Sequence, residues 1–207
     1  MRTLVIETAT AACSVAIIED GHVIAGAHDV VGRGHAERLV PMIAALPDGG
    51  RADRILVDCG PGSFTGVRVG IAAARGLGLG WGVPVAGFSS LMLVAAAALA
   101  AIPDLERVAV VLEGGHGEVF VQIFTPSLEA ETDLASLTPA DALVVIGAIH
   151  AVGSGLTRLH PLVEPATAGL PDAADAHLLP DAGTALPPRP IYGRAPDAKP
   201  NPSKRNP

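Results

Sequence analysis

The chain has 207 residues, of which 49% are hydrophobic, with a mean hydropathy of +0.44 and a formal charge of −7. That content excludes a disordered chain and suffices for one domain or two small lobes; with aromatic residues at only 3%, the core must be built from Ala, Val, Leu and Ile. The acidic balance argues against this chain gripping a phosphate backbone by itself.

Strands are predicted at Thr3 to Glu7, Cys13 to Glu19 and His22 to His28, the last two joined by an Asp20-Gly21 turn. A helix from about Ala36 to Leu46 follows. Its apolar face comprises Ala36, Leu39, Val40, Ile43 and Leu46, with Met42 away from the centre, and Pro41 predicts a bend or a late start. Next comes a short strand, Ile55 to Cys59, running into Gly60-Pro61-Gly62-Ser63-Phe64-Thr65-Gly66-Val67-Arg68-Val69-Gly70. Strand, glycine-rich loop and helix N-terminus together favour anions, and equally suit a tight turn with close packing. The spacing is neither that of a P-loop nor that of a dinucleotide fingerprint. Ser63 is placed to cap the helix.

In that helix Gly66, Gly70, Ala74 and Gly78 recur every four residues as a stripe almost without side chains, beside Phe64, Arg68, Ile71 and Arg75. Each glycine costs about 1 kcal/mol of helix stability relative to Ala, so something must approach closely to offset it. That something is either the chain's own sheet or a partner. A strand at Val83 to Phe88, a Ser89-Ser90 cap and an alanine-rich helix to Ile102 complete the first half. The uncharged run Leu91 to Ile102 falls well short of the ~20 residues a membrane helix needs. The start of the chain does not read as a signal peptide.

An internal echo follows. Val110 to Glu113, a Gly114-Gly115-His116-Gly117 turn and Val119 to Phe124 repeat the strand, terminal Glu, turn and strand seen from Leu4 to Ile18. This predicts two lobes related by duplication, the second one truncated with one more strand at Leu143 to Ile149. Pro103-Asp104 marks the boundary, giving lobes of 1–102 and 103–190 and a proline-rich, disordered tail at 191–207 carrying Lys199, Lys204 and Arg205.

The segments Leu4-Val5-Ile6-Glu7-Thr8-Ala9-Thr10, Arg33-Gly34-His35-Ala36-Glu37-Arg38-Leu39-Val40-Pro41, the glycine loop and Pro190-Ile191-Tyr192-Gly193-Arg194-Ala195-Pro196 resemble, in content and order, the TsaB family, also called YeaZ. The resemblance implies an α/β fold of the ribonuclease-H-like, actin-like ATPase type. It implies a cytoplasmic, non-catalytic subunit that joins a TsaD-like catalytic protein and a TsaE-like ATPase in making N6-threonylcarbamoyladenosine at position 37 of ANN-decoding tRNAs. In the family the first helix and the glycine-stripe helix dock on TsaD, or on a second copy when TsaD is missing. Carried onto this chain, the interface comprises Ala36, Leu39, Val40, Ile43, Leu46, Gly66, Gly70, Ile71 and Ala74. Glu7, Thr8, Gly62 and Ser63 are the expected nucleotide contacts, with ATP or ADP at the complex interface and no cofactor needed by this chain alone.

In related kinases a carboxylate at the end of the first strand orients a hydrated metal. Here Glu7 and Glu113 stand where the family carries Asp, one C–C bond longer, about 1.5 Å. Capping the adjacent turns is the alternative role for both. TsaD relatives bind metal through two histidines four apart, whereas His35 is followed at that spacing by Leu39 and is expected to cap its helix. Ser63 does not lie in a nucleophile elbow. Cys13 and Cys59 read as small apolar residues. An autonomous nucleotide-dependent phosphotransferase is the second reading, and a peptidase the last.

Overall fold

A computed structural model describes residues 1–161 and 165–193. Strands β1 (Arg2–Glu7), β2 (Ala12–Glu19) and β3 (His22–Val30) form an antiparallel meander. Helix α1 (His35–Ala45) leads to β4 (Arg54–Asp58), parallel to β1, and α2 (Phe64–Trp81) leads to β5 (Val85–Phe88), parallel to β4. The sheet order is β3-β2-β1-β4-β5. Alternation along the strands divides the lobe: Leu4 and Ile6 pack on the α1 and α2 side, while Val5 packs with Leu56 and Phe88 on the other.

Helix α3 (Ser90–Ala101) occupies the centre. Leu93 and Ala96 pack on the first sheet, and Leu91, Val94 and Ala95 on the second. Its lack of a polar face follows: a helix apolar all round is one buried all round. Its expected serine cap is different in detail. Ser90 Oγ donates to Asp58 Oδ1 at 2.6 Å, and Ser89 makes no side-chain cap bond.

The second sheet contains β6 (Val108–Glu113), β7 (Val119–Phe124), β8 (Ala135–Leu137), β9 (His150–Val152) and β10 (Ala166–Thr167), in the order β10-β9-β6-β7-β8. Read from β8, this is the order and sense of the first sheet, so the echo in the sequence is a full repetition of the sheet. The expected strand at Leu143 to Ile149 is instead mostly helix α4 (Pro139–Ile146). Thr138 starts it by accepting from Asp141 N, and Pro139 sits where its missing N–H is not needed.

The domain limits need one further correction. After β10 the chain leaves the second sheet: Ala173, Ala176 and Leu179 pack against Val5 and Ala16, Leu186 pairs with Gly87, and Ile191 N donates to Cys59 O at 2.7 Å. The segment 173–191 therefore belongs with the first lobe. Arg194 and the expected disordered tail with Lys199, Lys204 and Arg205 lie outside the described residues.

α1 and α2 answer the question left open by the glycine stripe. A methyl group at Gly66 would run into the Thr8 carbonyl, one at Gly70 into Thr8 Oγ1, and one at Gly78 into Val85. The close approach is to the chain's own first lobe. Ala74 and Ile71 are buried there too, as are Leu39, Ile43, Leu46 and Met42. Of the nine expected interface residues, only Ala36 and Val40 are exposed. Met42 faces the core because α1 runs unbroken through Pro41 and its inward side is centred on 39, 42, 43 and 46.

Candidate functional site

Where the two lobes meet, a cavity of about 920 Å³ opens. Its walls are the β1–β2 turn (Ala9 to Ala11), Gly62 to Phe64 with the first turns of α2, the Glu113 to His116 turn and Pro190 to Gly193. Ser63 caps α2 by accepting from Gly66 N at 3.2 Å, and Ser63 N donates to Ala9 O at 2.6 Å. These bonds lock the glycine loop to the β1–β2 turn.

Of the four expected nucleotide contacts, Gly62 and Ser63 line the cavity while Glu7 and Thr8 do not. Thr8 is fully buried and donates to Gly66 O at 2.8 Å. Glu7 is fully buried; Oε1 accepts from Ala9 N (2.8 Å) and Thr10 N (3.3 Å), and Oε2 from Ser14 Oγ (3.2 Å). Glu7 thus builds the turn whose backbone faces the cavity and presents no oxygen to it.

Beside Glu7 stands an acid absent from the sequence-based site. Asp58 ends β4 one position beyond the Ile6–Val57 pair, on the same side of the sheet as Glu7. Oδ1 accepts from Gly60 N (2.7 Å) and Ser90 Oγ, while Oδ2 is buried without a hydrogen-bond partner. Burial pushes the Asp58 carboxyl up to about 7. Burial first, and the neighbouring Asp58 second, hold Glu7 well above the usual carboxylate range. The sequence does show that both strands end in an acid, and parallel pairing of the two strands would have placed the acids together.

His35 is a second residue whose role differs from expectation. It is buried, with Nε2 2.9 Å from Thr10 O and 3.0 Å from Ala12 O, so it pins the β1–β2 turn to α1 instead of capping its helix. Glu113 does reach the cavity, but Arg158 holds its carboxylate in an ion pair. It is the sole carboxylate lining the cavity among the described residues.

A metal-bound nucleotide would need a free strand-end carboxylate here. Glu7 is consumed by its own turn and Glu113 by Arg158, so the residues do not fit that group.

A family model described as "TsaD: tRNA N6-adenosine threonylcarbamoyltransferase" matches residues 29–143. An uncharacterized protein of Mycobacterium leprae is 36% identical over 215 residues, covering 95% of this chain and 56% of that protein. The "tRNA threonylcarbamoyladenosine biosynthesis protein TsaB" of Escherichia coli is 41% identical over 126 residues, 58% of this chain and 53% of that protein. The chain thus spans about half the length of these two relatives in the matched regions. The solved structure "YeaZ from Pseudomonas aeruginosa" superposes with a TM-score of 0.76 at 30% identity, covering 92% of this chain and 99% of that one.

Two lobes with the same sheet order, closing on a cleft around a shared helix, define an α/β protein of the actin-like class. Within that class the chain belongs to the TsaB (YeaZ) family.

Proposed function

We propose that this protein is a non-catalytic subunit in the formation of N6-threonylcarbamoyladenosine at position 37 of ANN-decoding tRNAs, acting in the cytoplasm with a TsaD-like catalytic subunit. The observation that carries the reading is the enclosure of Glu7: the acid at the end of the first strand serves the fold and is withheld from the cleft. The name of the E. coli relative supplies the pathway. The same enclosure disfavours an autonomous phosphotransferase, and Ser63, committed to capping α2, disfavours a peptidase.

The docking surface is the outward side of α1 and α2. Ala36, Val40 and Ala44 form an exposed stripe on α1; Ala72, Gly76 and Leu79 form one on α2. These small apolar side chains suit close helix packing. A TsaD-like partner occupies this face, or a second copy when the partner is absent. A TsaE-like ATPase joins the pair, ATP or ADP sits at the complex interface, and tRNA enters only through the assembly. The experiment is tRNA modification with purified subunits, each omitted in turn: activity must require this chain and be absent when it is the only subunit. Modification by the remaining subunits at an undiminished rate would overturn the proposal.

A further inference from the structure

Helix α4 is apolar on its outward side as well as its inward one. Ala142 and Ile146 are buried in the core of the second lobe, yet Val144 is 82% and Val145 41% exposed, and Ala140 is exposed one turn before Val144. Its one ionisable side chain, Asp141, accepts from the Thr138 hydroxyl at 2.8 Å at the start of the helix. A helix apolar all round is one covered all round. α3 meets that condition inside the chain, whereas among the described residues nothing covers Val144. The sheet repetition makes α4 the counterpart of α1: each follows the third strand of its sheet and precedes a strand that pairs parallel with the first. Ala140, Val144 and Ala148 repeat Ala36, Val40 and Ala44 in identity and spacing, with Ala148 just past the Gly147 that ends α4.

Beyond Gly147 the apolar surface runs into a groove of about 350 Å³ whose walls are Leu105, Ala148, Ile149 and Pro165 with Asp104 and Glu106. Arg107 lines it too, but Glu131 holds that guanidinium through two bonds, at 2.7 and 2.6 Å. Neither Asp104 nor Glu106 forms an ion pair among the described residues. The surroundings have the same sign. Residues 103–161 contain eight acids and two arginines, and Arg158, like Arg107, is already paired with an acid. An apolar patch with a negative rim disfavours RNA and anionic lipid, and disfavours pairing of this face with itself, which would bring the same acids together. The surface complementary to it is apolar at its centre and basic at its edge.

We infer that the outward side of α4 and the adjoining groove dock a basic amphipathic helix of another protein, its apolar side against Val144 and Val145 and a Lys or Arg in the groove beside Asp104 and Glu106. The small side chains of Ala140 and Ala148 on either side of Val144 let a helix approach closely, and the groove beside them receives the longer basic side chain. This inference goes beyond the proposed function. It concerns the second lobe and shares no residue with the α1 and α2 face, so either can fail alone.

The test is a fluorescence-anisotropy titration of the full chain into a labelled helical peptide with Leu on one face and Lys on the other, repeated with a matched peptide in which Glu replaces Lys. The expected result is saturable binding of the Leu/Lys peptide that weakens as salt is raised, and no binding of the Leu/Glu peptide. Val144→Ser should weaken binding about tenfold at an unchanged melting temperature, because the side chain is exposed in the free chain. Asp104→Asn combined with Glu106→Gln should weaken it and flatten the salt dependence. No binding at millimolar peptide, equal affinity for the two peptides, or unchanged affinity in folded Val144→Ser would each overturn the inference. Sedimentation of the chain alone checks the occupant: a dimer that Val144→Ser dissociates would assign the face to a second copy and overturn the proposal. Binding to tRNA or to phosphatidylglycerol vesicles that is lost in Val144→Ser would overturn it in the same way.

Discussion

Glu7 and Asp58 occupy adjacent positions on parallel strands, both without solvent contact, and Asp58 Oδ2 has no donor. A proton on either carboxyl removes the repulsion between two buried anions. The sign of the pH dependence follows. Both groups are held above the unfolded carboxylate value, so the folded chain retains a proton that the unfolded chain gives up. The stabilising effect of each is complete below the unfolded value, near 4; that of Asp58 is lost as pH rises through about 7. Each extra bound proton changes stability by about 1.4 kcal/mol per pH unit in that window. Chemical denaturation between pH 5 and 8 should therefore show stability falling with pH, and Asp58→Asn should flatten the profile; equal slopes in the two proteins would rule out a proton retained at Asp58. At the same scale, His35→Ala leaves two buried carbonyls without their shared donor and should destabilise the fold by about 1–3 kcal/mol in a urea titration.

At the scale of elements, α2 spends its glycines on approach to Thr8 and Val85, and α1 buries Leu39, Met42, Ile43 and Leu46. Gly70→Ala would push the new methyl into Thr8 Oγ1, which is itself bonded to Gly66 O, and should cost about 1–3 kcal/mol, read as a lowered melting temperature. A different pair separates docking from folding. Leu39→Asp buries an unpaired charge and should destabilise the isolated chain by about 3–5 kcal/mol. Val40, 61% exposed, should tolerate Asp with an unchanged melting temperature and lose affinity for the TsaD-like partner. A Val40→Asp chain that pairs normally would remove the α1 face from the interface.

The elements themselves were unequally legible. The first meander could be read because Asp20-Gly21 separates two apolar runs, and α2 because Ser63 announces its start. Leu143-Val144-Val145-Ile146 misled because a continuous apolar run of β-branched residues has no visible period. Only Ile146 of those four is buried and Val144 is 82% exposed; the capping pair Thr138 and Asp141 was the available signal. The candidate site was half legible. Gly62 and Ser63 were found from local pattern, whereas Asp58 and the Arg68–Tyr192 contact depend on pairings across 51 and 124 residues of sequence, counted from Glu7 to Asp58 and from Arg68 to Tyr192.

As a whole, the molecule is two copies of one sheet plan around α3, closed by a C-terminal segment that returns to the first lobe. Arg54 donates to Thr184 O at 3.1 Å, Arg75 to Pro188 O at 2.6 Å, and Leu186 pairs with Gly87. Near the same end, a side chain on Gly193 would meet Phe120 of the second sheet. The return segment therefore contacts both lobes at the cleft and supplies Tyr192 to its wall. The two sheets share one strand order, yet their strand-end acids serve different ends, Glu7 inside the fold and Glu113 in a surface ion pair. This division of roles fits the scaffold function proposed above.

The most direct measurement is threonylcarbamoyl transfer to tRNA by a purified TsaD-like partner and TsaE-like ATPase, with wild-type chain, Glu7→Gln chain or none. Glu7→Gln keeps an acceptor for the Ala9–Thr10 turn, so a scaffold should support modification at the wild-type rate once folding is verified, and omission of the chain should abolish it. A Glu7→Gln chain that folds and binds its partner normally but loses modification would contradict the account, because the acid would then be acting in the chemistry.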